Sequence, residues 1–302
     1  MFETSNVSVD VINQAFVDRI EGGQIKEAQE AGSAYIRQRL YEEGVLRRLF
    51  PPRTVTADEL DPDLNSDTPG IIVEKEPDAP KATYIPFRGI GDANYFYGKR
   101  FRIPFGKVES EHMQKSKFEL LTMKMDIMEW LKQNQVKQVQ GAEDEVFMES
   151  VNKIITDASG AQNITQAADT TFKDAFVLGL KGLTKAMLPV GPILMHQNTY
   201  YDSSKLKVED IGDPNQAKRF NDGIEGEDTF MGHRVVTTLK TDICPENVIY
   251  FFAPADYFVR NYLIQDATLF LKQEADLIFF HTYEAPGCGI GNTLGVYKVT
   301  LL

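Results

Sequence analysis

The chain has 302 residues and a formal net charge of −12, with 42% apolar and 25% charged residues. That length and apolar share suffice for one large or two modest domains with a real core, whereas the negative balance excludes a protein that grips nucleic acid by neutralising phosphates with clustered Lys and Arg. Cys244 and Cys288 have neither disulfide-scaffold density nor Cys-x-x-Cys spacing, and no basic n-region or apolar run of about 18 residues marks an export signal or a membrane span.

Residues 1–50 carry mixed charge, with weak helical periodicity from Ile25 to Phe50 through Ala28, Tyr35, Leu40 and Leu46. They read as an arm with helical pieces. Arg37, Arg39, Arg47 and Arg48, interleaved with Glu42 and Glu43, read as a solvated helix face or, more sharply, as charges that pair with a neighbouring subunit. Pro51-Pro52 ends the helical character, because proline lacks the amide hydrogen and restricts the residue before it.

From Thr54 to Ser110 the chain is first acidic and proline-rich, then alternating and aromatic. Ile71–Lys75 and Tyr95–Val108 read as strands, with Gly89-Ile90-Gly91-Asp92 supplying turn chemistry between them. The second strand carries Lys99, Arg100, Arg102 and Lys107; the first half offers Glu74 and Glu76, and Arg88 sits beside the turn. Such a hairpin has charged flanks and little to bury, so it is expected to lie on another surface.

Lys115–Ile155 places Phe118, Leu121, Met125, Met128, Leu131, Val136, Val139, Val146, Val151 and Ile154 at mostly three- and four-residue steps. This spacing predicts an amphipathic helix, about 60 Å long if continuous, with a bend or end at Gly141. A polar loop over Asp157–Thr165 precedes a second helix, N-capped by Asp169 or Thr170, that runs through Phe172, Phe176, Leu180, Leu183 and Met187 and stops at Pro189 and Gly191. Pro192–Gln197 reads as a short buried strand, Asn198–Leu206 as a polar helical turn and Val208–Asp228 as an acidic region. Strands are expected at Gly232–Thr238, Asn247–Phe252, Asp276–Tyr283 and Leu294–Thr300, separated by Pro245, by Pro254 with a helix-like Ala255–Leu263, and by a glycine cluster at Pro286–Asn292. The sum is an α+β fold with helices on one face of a sheet. The long helix is expected to pack on 247–252 and 277–283.

Little catalytic chemistry is visible. His281, Glu284 and Cys288 are the one constellation an enzyme could use, but in a strand His281 and Tyr283 share a face while Glu284 points away, and nothing marks an orienting group or an oxyanion site. His112, His196 and His233 are scattered singly, without metal-ligand spacing. Gly287-Cys-Gly-Ile-Gly291 reads as a turn between strands, since no helix follows it to hold an anion. No catalytic, cofactor or metal site is expected.

The order of parts (arm, acidic hairpin, long helix, second amphipathic helix, β-rich C-terminal half) resembles the major capsid protein of tailed bacteriophages, the Hong Kong 97-type capsid fold. The local likeness is carried by NVIYFFAPADYFVRNYLIQDATLFLKQEADLIFFHTYEAPGCGIGNTLGVYKVTL at the end of the chain and by LMHQNTYYD within 188–206. The resemblance implies an N-terminal arm at 1–50, an extended loop at 51–110, a peripheral domain with its spine helix at 111–200, a mainly axial domain at 201–285 and a closing peripheral strand at 286–302. It implies self-assembly through hexameric and pentameric capsomers into an icosahedral virion shell, built in the host cytoplasm and enclosing DNA without sequence-specific binding. The arginines above, with Glu74, Glu76, Arg88, Lys99, Arg100, Arg102 and Lys107, become inter-subunit contact candidates. Partners would be further copies, a separate scaffolding protein, a portal and a decoration protein. Lys75, Lys81 and Lys99 occupy positions where some members cross-link, and no cross-link is expected here. The alternatives are an encapsulin-like compartment shell, a tail-tube protein and a soluble enzyme built on His281, Glu284 and Cys288.

Overall fold

The structure is a computed structural model that describes residues 9–61, 68–75, 84–85, 87–89, 99–158, 162–165, 172–202, 227–230 and 232–301. The arm is helical, as α1 (Val9–Glu21), α2 (Ile25–Glu43) and α3 (Val45–Leu49). Gly23 reverses the chain between the first two at φ 77°, a left-handed conformation that costs glycine no Cβ clash. Phe16, Val17 and Ile20 of α1 and Ala28, Ile36 and Leu40 of α2 are buried, so each helix keeps one apolar face. These faces pack on the subunit's own sheet and long helix.

After Pro51-Pro52 the chain passes through β1 (Arg53–Thr54) into a two-stranded ribbon of β2 (Gly70–Lys75) and β3 (Lys99–Pro104), antiparallel from Gly70↔Pro104 to Lys75↔Lys99. The expected strand pair is therefore present; its second member ends at Pro104, short of the expected Val108, and 95–98 lie outside the described residues. Pro104 closes it, having no amide hydrogen to extend the ladder. Of the expected turn, Gly89 is exposed, and residues 90–92 lie outside the described residues, as do 62–67 and 203–226 in the two acidic regions.

The long helix departs from expectation at its start. Met113–Ser116 is a strand, β5, preceded by β4 (Val108–Glu109). A capping box of Ser116 and Glu119 opens the six-residue α4 (Lys117–Thr122), and the chain then extends before Asp126 caps α5 (Ile127–Leu131). Asn13 causes this interruption. Its amide donates to the carbonyls of Met123 (3.4 Å) and Met125 (3.1 Å) and accepts from the Ile127 amide (2.9 Å), which supplies hydrogen-bond partners at a break that would otherwise leave them unmade. From Ile127 the helix is continuous through a π turn at Lys132–Val136 into α6 (Lys137–Asp157), about 46 Å at about 1.5 Å per residue. It does not end at Gly141, which lies inside α6.

The remainder follows as β6 (Asn163–Thr165), α7 (Phe172–Lys185), β7 (Ile193–His196), α8 (Gln197–Asp202), β8 (Glu227–Phe230), β9 (His233–Thr238), β10 (Val248–Phe252), β11 (Val259–Glu274), β12 (Leu277–Ile290) and β13 (Val296–Thr300). The N-cap candidates Asp169 and Thr170 lie outside the described residues. One sheet has the order β6-β13-β10-β7-β9-β8; the other has the order β1-β11-β12-β4, with β5 also on β12. Two expectations fail here. Ala255–Leu263 is a 3-10 turn at Ala255–Tyr257 followed by the start of β11, and the Pro286–Ile290 stretch continues β12 instead of turning. β11 and β12 form one long hairpin whose two-residue connection, Ala275-Asp276, holds Ala275 at φ 52°.

Three apolar clusters result. The first joins α3, α6 and α7 to the six-stranded sheet through Phe50, Phe147, Phe176, Phe251 and Phe252. The second joins α1, α2 and the first turns of the long helix to Leu269, Leu271, Ile278 and Phe280. The long helix thus packs on both expected strands, at its two ends. The third is small and seats the ribbon. No helix among the described residues is long and apolar enough to cross a membrane.

Candidate functional site

The arm is fastened by a buried charge cluster. Arg47 of α3, 0% exposed in its side chain, donates to Glu143 at 2.9 and 3.1 Å, to Asp266 at 3.3 Å and to Glu284 at 2.5 Å. Asp266 lies where β11 bulges against β12, between Gln265 and Thr268. The next residue of α6, Asp144, accepts from the amides of Val45 (3.4 Å) and Leu46 (2.9 Å) at the start of α3 and from Lys240 at 3.1 Å. Three carboxylates around one guanidinium leave a negative excess in a desolvated space. Burial, reinforced by Glu143 and only partly opposed by Arg47, pushes the Glu284 carboxyl up to about 8.

Arg47 is therefore not on a solvated helix face. The other arm arginines also engage their own chain: Arg37 donates to the Ala267 carbonyl (2.8 Å) and to Thr268 (3.3 Å), Arg48 donates to the Thr237 carbonyl (3.2 Å), and Arg39 lies over the Tyr35 ring.

The ribbon divides into a seated base and an exposed end. Ile71, Ile103 and Phe105 are buried with Val55 and Tyr262. Phe105, Ile103 and Phe101 lie over Gly287, Gly289 and Gly291, which alternate along one face of the β12 end. A Cβ would stand 2.5 Å from Phe105 at Gly287, 2.5 Å from Ile103 at Gly289 and 3.0 Å from Phe101 at Gly291. The glycine run is thus a bare track for close strand approach. Farther out, Glu74 faces Arg100 across the ribbon at 2.6 Å, both well exposed. Arg102 bonds Asp61 (3.2 Å) and the Thr68 carbonyl, Lys107 bonds Glu109 (2.8 Å), and Arg88 is exposed. Glu76 and the side chain of Lys99 lie outside the described residues.

The enzyme constellation separates. On β12, Thr282 and Glu284 point inward while His281 and Tyr283 occupy the other face, rings 6.1 Å apart. Glu284 belongs to the arginine cluster, and Cys288 is exposed. His281 has a different companion: its ring stacks on His112 at 4.3 Å and 10°, and Glu109 Oε1 lies 2.9 Å from His112 Nε2 and 3.5 Å from His281 Nε2. Lys107 and then His112 hold the Glu109 carboxyl down at about 2, whereas burial and then His112 lower His281. Spacing could not reveal this grouping, because His112 and His281 sit on segments far apart in sequence that only β12 pairing unites. The alternation around His281 was the one available signal.

No family model and no curated protein matches the chain. Solved structures do match. A structure from Microbacterium phage Oxtober96 superposes with a TM-score of 0.58 at 12% identity, covering 86% of this chain and 91% of that one. The asymmetric unit of the bacteriophage PhiM1 mature capsid gives 0.54 at 8%, covering 83% and 85%. The chain has the tailed-phage capsid fold. The virus-like particle from Pyrococcus furiosus shares it at 0.54 and 14%, covering 90% and 99%. At such identities the capsid fold is retained in the order and packing of elements, with almost no retained residue pattern.

Proposed function

We infer that this chain is the shell subunit of a tailed-phage head, assembling with further copies into capsomers and an icosahedral capsid around packaged DNA. The carrying observation is a fold likeness to a mature phage capsid that covers 83% of this chain and 85% of that one. Within that reading, 1–50 is the arm, 51–110 the extended loop over a neighbour, 111–200 and 286–302 the peripheral domain, and 201–285 the mainly axial domain. Inter-subunit pairing falls to the exposed Glu74, Arg88 and Arg100, and by their place in the sequence to Glu76 and Lys99. Arg47 works inside the subunit. A net charge of −12 suits a container that must not bind its own packed DNA tightly. Assembly in the host cytoplasm with a separate scaffolding protein, a portal and a decoration protein belongs to the same proposal, as does a structural role without catalysis.

Electron microscopy of the full-length protein, expressed alone and with its scaffold, tests this reading. Capsomers or closed shells are expected, filled with DNA in the infected host. A monomer under all these conditions would overturn it, and shells loaded with a defined enzyme would replace it with a compartment shell.

A further inference from the structure

We propose that Glu109, His112 and His281 form a divalent transition-metal site that clasps the β4–β5 connection to β12. One donor atom from each residue lies within 4.8 Å of the other two. Glu109 Oε1 is 2.9 Å from His112 Nε2 and 3.5 Å from His281 Nε2. Donors bonded to a single ion at about 2.0–2.2 Å stand about 2.9–3.5 Å apart for angles between octahedral and tetrahedral, so two edges of the triangle already have the needed length. The third edge, between the imidazoles, lies within 4.8 Å; the rings are stacked at 10°, so exposed His112 must turn out of the stack for both in-plane lone pairs to meet at one ion. Lys107 holds the other carboxylate oxygen, Oε2, at 2.8 Å, which leaves Oε1 turned toward both rings.

The frame around the three residues is rigid. The Ser110 amide donates to the Thr282 carbonyl (2.8 Å), the Thr282 amide donates to Ser110 Oγ (2.9 Å), and the Ser110 hydroxyl donates to buried Gln135 at the π turn. Gln138 accepts from the Glu111 amide at 2.7 Å. The sheet and the long helix thus fix the backbone between Glu109 and His112 from two sides, which preorganises ligands before an ion arrives. Side-chain exposures of 32%, 66% and 17% for Glu109, His112 and His281 leave an entry path and room for water in the remaining positions. Two imidazoles with one carboxylate select a borderline ion such as Zn²⁺, Co²⁺ or Ni²⁺ over Mg²⁺ or Ca²⁺, which favour all-oxygen sets. The inference stands independently of the shell reading.

Isothermal titration of untagged full-length protein with Zn²⁺, and its visible spectrum with Co²⁺, test the site. One ion per subunit is expected, with a thermal midpoint that rises on Zn²⁺ addition. His112→Ala and Glu109→Gln, both at exposed positions, are expected to lower the affinity at least about 10–100-fold and to abolish the thermal shift, whereas His233→Ala leaves both intact. Absence of binding, or binding of equal affinity by the His112 and Glu109 variants, would overturn the site and leave the trio as hydrogen-bonded neighbours.

Discussion

Alanine at Gly289 is predicted to unseat the ribbon from the sheet. Its Cβ would stand 2.5 Å from both Cδ1 and Cγ1 of Ile103, against about 3.5–4.0 Å for an ordinary carbon contact. About 1.0–1.5 Å must be absorbed. The terminal Cδ1 can swing away, but Cγ1 is bonded to the Cβ of a β-branched side chain with a stiff χ1, and Ile103 is only 1% exposed. The strain therefore passes to the β3 backbone, and overpacking of this kind costs about 1–3 kcal/mol. Gly287→Ala should behave alike, since Phe105 atoms lie at 2.5 and 2.6 Å, while Gly291→Ala meets Phe101 at 3.0 Å and a tilt of that ring absorbs most of it. Urea unfolding of the subunit measures the loss, and limited proteolysis of the ribbon reports where it falls. Combining Gly289→Ala with Ile103→Ala should be less damaging than the sum, with a coupling of about 0.5–3 kcal/mol. An unchanged unfolding midpoint for Gly289→Ala, or strict additivity in the double variant, would refute the packing argument.

Arg47→Met should cost about 3–5 kcal/mol in urea unfolding, because it strands Glu143 and Glu284 in the interior without their cation. Glu284 holds a proton in the folded chain from its ordinary 4.5 up to about 8, a range in which the unfolded chain has lost it; this group's contribution to stability therefore falls as pH rises from about 4.5 to about 8 and is flat above. Glu284→Gln should flatten the slope between pH 6 and pH 8 in urea titrations, and an unaltered slope would reassign the proton. Gly141→Ala should raise the unfolding free energy by about 0.5–1 kcal/mol in urea titrations, since a Cβ there meets nothing within 4 Å. Arg100→Glu sets two negative charges opposite each other at the exposed Glu74 pair; it should lower subunit stability by no more than about 1 kcal/mol while impairing shell formation by light scattering, and normal assembly would remove Arg100 from the contact surface.

Elements with their own punctuation were legible in the sequence. The helix that buries Phe176 and Leu183 is present, although it ends at Lys185 with Met187 turned left-handed at φ 56°, ahead of the expected stop at Pro189 and Gly191, and the fully buried β7 and β10 sit where apolar runs stand between breakers. What failed depended on distant partners. Asn13, more than a hundred residues upstream, interrupts the long helix at Met123–Asp126, and no local signal predicts that. β11 was missed because its hairpin closes on Ala275-Asp276, where Asn-Gly would have announced the turn. The Gly287–Gly291 run looked like a turn because glycine marks both reversal and close approach, and only Ile103 and Phe105 decide between them.

The same distinction explains the charges. Arg37, Arg47 and Arg48 share one stretch of arm, yet all three bind their own subunit, and Arg47 does so beneath the surface. A run of arginines reads identically whether it faces water, a neighbour or three buried acids, because the deciding carboxylates, Glu143, Asp266 and Glu284, come from a helix and two strands far along the chain. Their joint effect is mechanical: α3 is tied to α6, β11 and β12 at once, so the C-terminal part of the arm moves with the core. Under the shell reading, reach toward neighbouring subunits must then come from segments beyond such anchors. The ribbon past the Gly287–Gly291 track is one of these, because its outer pair, Glu74 and Arg100, is exposed and weakly held, whereas its base is packed too closely to slide.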